Sequence, residues 1–181
     1  ACMTSAEMRT FAHARIECLT APGTGKEHDW KVRVGAKIGE GGDEHQTSAM
    51  YDANTWYGQP FVSTLEGQGA QLAETDGGET VVIKGGNFGT QEINRINSIT
   101  YGPTGTEFNA RSWSITEPHK TITCKTGEGA GAGLKWLVTV DKQQSSQPTT
   151  NYGLPNITKI TMATGGSAHG LQSQGGEWVH I

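Results

Sequence analysis

The residues in this chain best suited to chemistry are Asp43, Glu44 and His45, three cation-ligating side chains in a row within Gly39–His45. Three neighbours on one loop rarely face a common point, so a solvated loop is the plainer reading. The other histidines, at 13, 28, 119, 169 and 180, form neither an HxH nor an HExxH pattern. Gly127-Glu128-Gly129-Ala130-Gly131-Ala132-Gly133 has the glycine density of a phosphate-cradling loop. Such a loop needs a helix after it to meet the anion, and Leu134–Val140 reads as a strand. No serine, cysteine or carboxylate sits in a nucleophile or acid–base pattern, and Gly-x-Ser-x-Gly is absent. No catalytic, cofactor-binding or metal residue is therefore assigned, and the expectation is a non-enzymatic protein without a cofactor.

The elements around these residues are short strands that come round again. Gly77-Gly78-Glu79-Thr80-Val81-Val82-Ile83-Lys84-Gly85-Gly86-Asn87-Phe88-Gly89 reads as a glycine turn, a strand and a second turn whose glycines permit positive φ. Gly175-Gly176-Glu177-Trp178-Val179-His180-Ile181 repeats its opening at an offset of 98. Arg15–Thr20 answers Thr121–Thr126 at an offset of 106, which also carries Gly23, Gly25, Trp30, Val32 and Val34 onto Gly129, Gly131, Trp136, Val138 and Val140. In each copy a strand ends at Cys, a glycine turn follows, and Trp-x-Val-x-Val alternates on one face. Tyr57-Gly58-Gln59-Pro60 then answers Tyr152-Gly153-Leu154-Pro155 at an offset of 95. The first copy holds the extra residues between Gly35 and Thr55.

A proline opening an edge strand costs no ladder hydrogen bond, which suits these Tyr-Gly-x-Pro segments to domain junctions. The expected division is residues 1–58 as the C-terminal half of one domain, 59–154 as a complete domain, and 155–181 as the opening strands of a third. Half sandwiches leave apolar faces open, so further polypeptide is expected to complete them.

Composition agrees with many turns between short strands: 26 of 181 residues are Gly and only 34% are hydrophobic. A net charge of −4 without a Lys/Arg cluster argues against nucleic acid. No apolar run reaches the ~20 residues of a membrane span.

Cys2 lies 16 residues before Cys18, and Phe108 lies 16 before Cys124. Cross-strand neighbours on a buried face would explain both pairs, as a Cys2–Cys18 disulfide and a Phe–thiol contact. The disulfide would imply an oxidising compartment; two buried thiols are the alternative. Cys124 is expected to be a buried free thiol. Asn156-Ile157-Thr158 is an N-glycosylation sequon at a junction, with a chance occurrence as the competing account. Ser145–Thr150 is either an O-glycosylated tract or a plain polar loop. Trp30 and Trp136 read as packing residues, while Trp113 and Trp56 are the candidates for stacking on a sugar, Trp113 with the better claim to exposure.

The order of Gly77, Gly78, Val81, Ile83, Gly85, Asn87, Phe88 and Gly89, then Ile122, Cys124, Thr126, Gly129 and Gly131, then Val138, Val140, Tyr152 and Pro155, resembles the IPT/TIG family of immunoglobulin-like domains. The resemblance implies an all-β fold: tandem immunoglobulin-like β-sandwiches, one complete and two partial. It also implies a secreted or cell-surface setting, and long arrays of this kind look most like extracellular filament proteins such as mastigonemes. The expected function is a structural repeat protein whose partners are copies of itself or related repeats in a filament, with covalent glycans. The first candidate for an inter-subunit contact is the insertion, at Gly41, Asp43, Glu44 and His45. Alternatives are an adhesion or receptor ectodomain, and an accessory module of a carbohydrate-active enzyme.

Overall fold

The structure, a computed structural model, describes residues 8–11, 15–34, 46–164, 171 and 173–181. Among them no α-helix occurs. The first strands are β1 (Met8–Phe11), β2 (Arg15–Cys18), β3 (His28–Trp30), β4 (Arg33–Val34), β5 (Gln46–Thr47) and β6 (Tyr51–Thr55), paired β1 with β2, β3 with β6 and β4 with β5.

Residues 61–152 then form two sheets. Their strands are β7 (Phe61–Glu66), β8 (Leu72–Ala73), β9 (Thr80–Gly86), β10 (Ile96–Gly102), β11 (Phe108–Asn109), β12 (Arg111–Glu117), β13 (Thr121–Lys125), β14 (Leu134–Val140), β15 (Gln143–Gln144) and β16 (Thr149–Tyr152). One sheet runs β12-β13-β9-β7 and is antiparallel throughout. The other runs β11-β10-β14-β16-β8, with β15 on β14. The entering segment is shared between them: β7 edges the first sheet, and after a 3-10 turn at Gln68–Ala70, β8 joins the second, parallel to β16. Beyond the sandwich, β17 (Thr161–Met162) pairs with β18 (Val179–His180).

The core lies where the alternating residues of the two sheets meet. Val81, Ile83, Ile122, Trp136 and Val138 are wholly removed from solvent, together with Phe88. Burying each such side chain fully is worth about 1.5–3 kcal/mol, and this layer fixes the register of both sheets. The Trp-x-Val-x-Val face is thus buried in β14, as its period of two requires.

Three local expectations need correction. Gly85 and Gly86 do not supply positive φ; both lie in β9. They are small because Phe61 crosses them: a Cβ on Gly85 would stand 1.9 Å from the Phe61 carbonyl oxygen, and one on Gly86 2.4 Å from the Phe61 ring. The left-handed residues of that turn are Asn87 (φ 63°) and Gly89 (φ 83°). Phe108 and Cys124 are not cross-strand neighbours: Cys124 faces Val81 in one sheet, whereas Phe108 faces Tyr101 in the other. Equal spacing along the chain misled here because the chain changes sheet between β11 and β12. Pro155 does not open a strand directly, as the junction reading expects: residues 157–160 are irregular, and pairing begins only at Thr161, where β18 offers a partner.

Candidate functional site

The turn between β13 and β14 is held by two tyrosines. Tyr101 and Tyr152 bring their hydroxyls within 2.7 Å of each other, and Tyr152 donates to the Gly127 carbonyl at 2.9 Å. Gly127 N–H donates to the Tyr101 hydroxyl at 2.7 Å. Burial, followed by the Tyr101 hydrogen bond, pushes the Tyr152 phenol well above its ordinary value. Tyr101 also stacks on Trp136, ring centroids 4.3 Å apart and planes 6° from parallel. The Trp136 indole N–H is satisfied by Thr150 Oγ1 at 2.7 Å.

Part of this contact set recurs among residues 15–57. Trp30 donates its indole N–H to Thr55 Oγ1 at 2.9 Å. The Tyr57 hydroxyl donates to the Ala21 carbonyl, as Tyr152 does to Gly127. Tyr57 N–H meets the Gly25 carbonyl, as Tyr152 N–H meets that of Gly131, each at 2.9 Å. The pairing His28↔Thr55 has the counterpart Leu134↔Thr150. Every one of these positions is related by the offsets of 106 and 95 read from the sequence. Downstream, Thr161↔His180 likewise matches Glu66↔Val82.

Burial differs sharply between the copies. Ile122 and Val138 are inaccessible, whereas their counterparts Ile16 and Val32 are 43% and 44% exposed. Ile83 is inaccessible and its counterpart Ile181 is 79% exposed. In the sandwich the opposite sheet covers these side chains; among the described residues the first segment offers only the two-stranded pairs β1-β2, β3-β6 and β4-β5, and the last only β17-β18.

The first segment packs on the sandwich at one end. Thr24 Oγ1 donates to Asp141 Oδ2 at 2.5 Å, and Asn87 Nδ2 donates to the Gln59 carbonyl at 2.8 Å. Gln143 reaches the Tyr57 carbonyl at 3.4 Å. These contacts frame an open cleft of about 450 Å³ lined by Lys26, Glu27, Trp56, Gly58, Gln59 and Gln143. Ser146 ties the sheets together near this end: its hydroxyl accepts from Val62 N–H and donates to Val62 C=O, each at 3.0 Å. Ser145 accepts from Val138 N–H, so the loop between β15 and β16 also clips strands.

Of the residues singled out from the sequence, Asn156 is exposed in irregular chain after Pro155. Gly41, Asp43, Glu44 and His45 lie outside the described residues, as does Cys2. Cys18 is disulfide-bonded at the end of β2. Cys124 is a buried free thiol whose pKa burial pushes up to about 12. Trp113 is half-buried against the core, and Trp56, at 69% exposed, is the open indole. Trp113 is drawn inward because β12 is an edge strand whose register shifts between Arg111 and Ser114, with Ser112 at φ 49°. Among the described residues no cluster of His, Cys, Asp or Glu could hold a metal ion. No helix there is long and apolar enough to cross a membrane. Sequence reasoning missed the cleft, because it is assembled from three separated turns.

A sheet ordered β12-β13-β9-β7 against one containing β10-β14-β16 is the strand arrangement of an immunoglobulin-like β-sandwich. Residues 72–152 match the IPT/TIG domain family. Such domains are generally non-catalytic modules and occur in extracellular and cell-surface proteins. No match was found among curated proteins or among solved structures.

Proposed function

We propose that this chain is a stretch of a tandem immunoglobulin-like array, a non-enzymatic structural element of the cell surface or of an extracellular filament. In this reading residues 1–58 close one sandwich, 59–154 form the next, and 155–181 open a third. The observation that carries it is the recurrence of the Trp30–Thr55 and Tyr57–Ala21 hydrogen bonds as Trp136–Thr150 and Tyr152–Gly127. Side chains buried in the middle unit are open in its neighbours, as expected of sandwiches whose remaining strands come from further polypeptide. The exposed Asn156 and the disulfide at Cys18 suit an oxidising, glycan-bearing setting. Copies of itself or of related repeats are the partners this reading supplies.

The test is localisation followed by microscopy. An antibody against residues 59–154 is expected to label intact cells and to decorate ordered polymers in negative stain. Labelling only after permeabilisation would refute the surface assignment. A monodisperse, monomeric full-length protein would refute the filament.

A further inference from the structure

We infer that the cleft between the first segment and the sandwich is a binding site for a neutral oligosaccharide, with Trp56 as its stacking platform. The inference rests on the same matched positions as the array reading, but its test reads sugar binding, which can fail or succeed whether or not the chain is displayed on cells or forms filaments. At offset 95, Trp56 corresponds to Asn151, an exposed residue whose Oδ1 accepts from Gly133 N–H at 2.7 Å. The fold is therefore served at this place by a small polar side chain. Its neighbours Thr55 and Tyr57 point inward to Trp30 and Ala21, so Trp56 points away from that packing and stays 69% exposed with both units in contact.

Glu27 is the second anomaly. It corresponds at offset 106 to Gly133, and the backbone is left-handed at both, φ 61° at Glu27 and φ 63° at Gly133. Glycine takes that conformation without strain, whereas glutamate does not. A strained glutamate where the fold accepts glycine points to use of its carboxylate. Lys26 and Gln59 likewise stand where the other copy has Ala132 and Leu154. All four replacements line the one cleft, with Gln143 on the sandwich side.

The chemistry of the wall selects the ligand. One carboxylate and one ammonium cancel, which disfavours a strongly charged ligand such as a nucleotide. A carboxylate acceptor, an ammonium donor and two carboxamides that both donate and accept suit adjacent hydroxyl groups. The indole offers its face to the C–H side of a sugar ring and its N–H to a hydroxyl. Pockets of about this size at domain junctions, apolar on one wall with a few convergent polar groups, are ordinary ligand sites.

The test titrates the intact chain with soluble hexasaccharides of glucose, mannose, xylose and N-acetylglucosamine, by calorimetry and saturation-transfer NMR. At least one is expected to bind at millimolar concentration or tighter. Trp56→Asn, which installs the matched residue, is expected to weaken that binding at least tenfold. Glu27→Gly is expected to weaken it at least tenfold as well, while the melting temperature holds or rises. Absence of binding by all four probes would overturn the site, as would native affinity in Trp56→Asn. A Glu27→Gly protein that melts lower yet binds normally would overturn the role of Glu27. An unchanged indole–Thr signature for Trp30 and Thr55 in each variant shows that the first segment kept its fold.

Discussion

Thr150 accepts the indole N–H of Trp136 at 2.7 Å across two strands of the same sheet, and both side chains are shut off from water. Thr150→Val keeps the shape and removes the acceptor. A buried donor left unpaired costs about 1–3 kcal/mol. Urea denaturation is expected to show that loss for Thr150→Val. Thr55→Val, at the half-buried counterpart, is expected to cost less because water can reach the indole of Trp30.

Alkali is expected to weaken the sandwich from about pH 9 upward. The Cys124 thiol is raised from 9.0 to about 12 by burial, and Tyr152 is raised above 10.0, also by burial first. The unfolded chain releases these protons at lower pH than the folded one. Their stabilisation is thus complete below the unfolded values and drains away as pH climbs toward the folded ones. Denaturation midpoints between pH 8 and 11.5 check this, and Cys124→Ala should flatten the earliest part of the decline.

The same burial predicts a silent thiol. Cys124 is 1% exposed, and the thiolate is the reactive form. A thiol reagent at neutral pH is expected to label it only as fast as the sandwich opens. Rapid labelling under native conditions would contradict this packing.

Gly85→Ala is expected to be far worse than Gly78→Ala. The added methyl at Gly85 would collide with the Phe61 backbone, whereas at Gly78 nothing lies within 4 Å and only the left-handed φ of 98° is strained. Strain of that kind costs about 1–2 kcal/mol. Overpacking against backbone costs about 1–3 kcal/mol or more, and here it would also part β7 from β9. Circular dichroism melts of the two variants give the order.

Thr24→Val removes the 2.5 Å bond to Asp141 that joins the first segment to the sandwich. Solution scattering or residual dipolar couplings are expected to report a looser joint, while the core aromatic signals of Tyr101 and Trp136 stay in place. A joint as tight as in the native chain would show that the Gln143 bond to the Tyr57 carbonyl suffices to hold it.

Most of the sandwich was legible because burial imposes a period of two. Val81 and Ile83, or Trp136 and Val138, can face the core only if their strands run as they do. The repeat offsets were legible for the same reason, since Trp30 and Trp136 each need a threonine acceptor from the closing strand. The Gly85–Gly86 step was not, because nothing local says that Phe61 will cross it. Nor was the switch of sheet between β11 and β12, which placed Phe108 beside Tyr101 instead of Cys124. The cleft was the least legible feature. Lys26, Trp56 and Gln143 become neighbours only through the joint, and their meaning shows only against Ala132 and Asn151 in the matched turns.

The parallel run of β8 beside β16 has a mechanical consequence. The second half of the entering segment, β8, and the leaving strand β16 point the same way, so tension that passes β7 and reaches β8 acts along these two strands in opposite senses. Leu72 and Ala73 would have to slide past Asn151 and Tyr152, straining the pairs and the Gly153-to-Ala73 amide bond together instead of unzipping them singly. A unit tied in this way would resist such a pull as a lap joint does, with both pairs loaded at once.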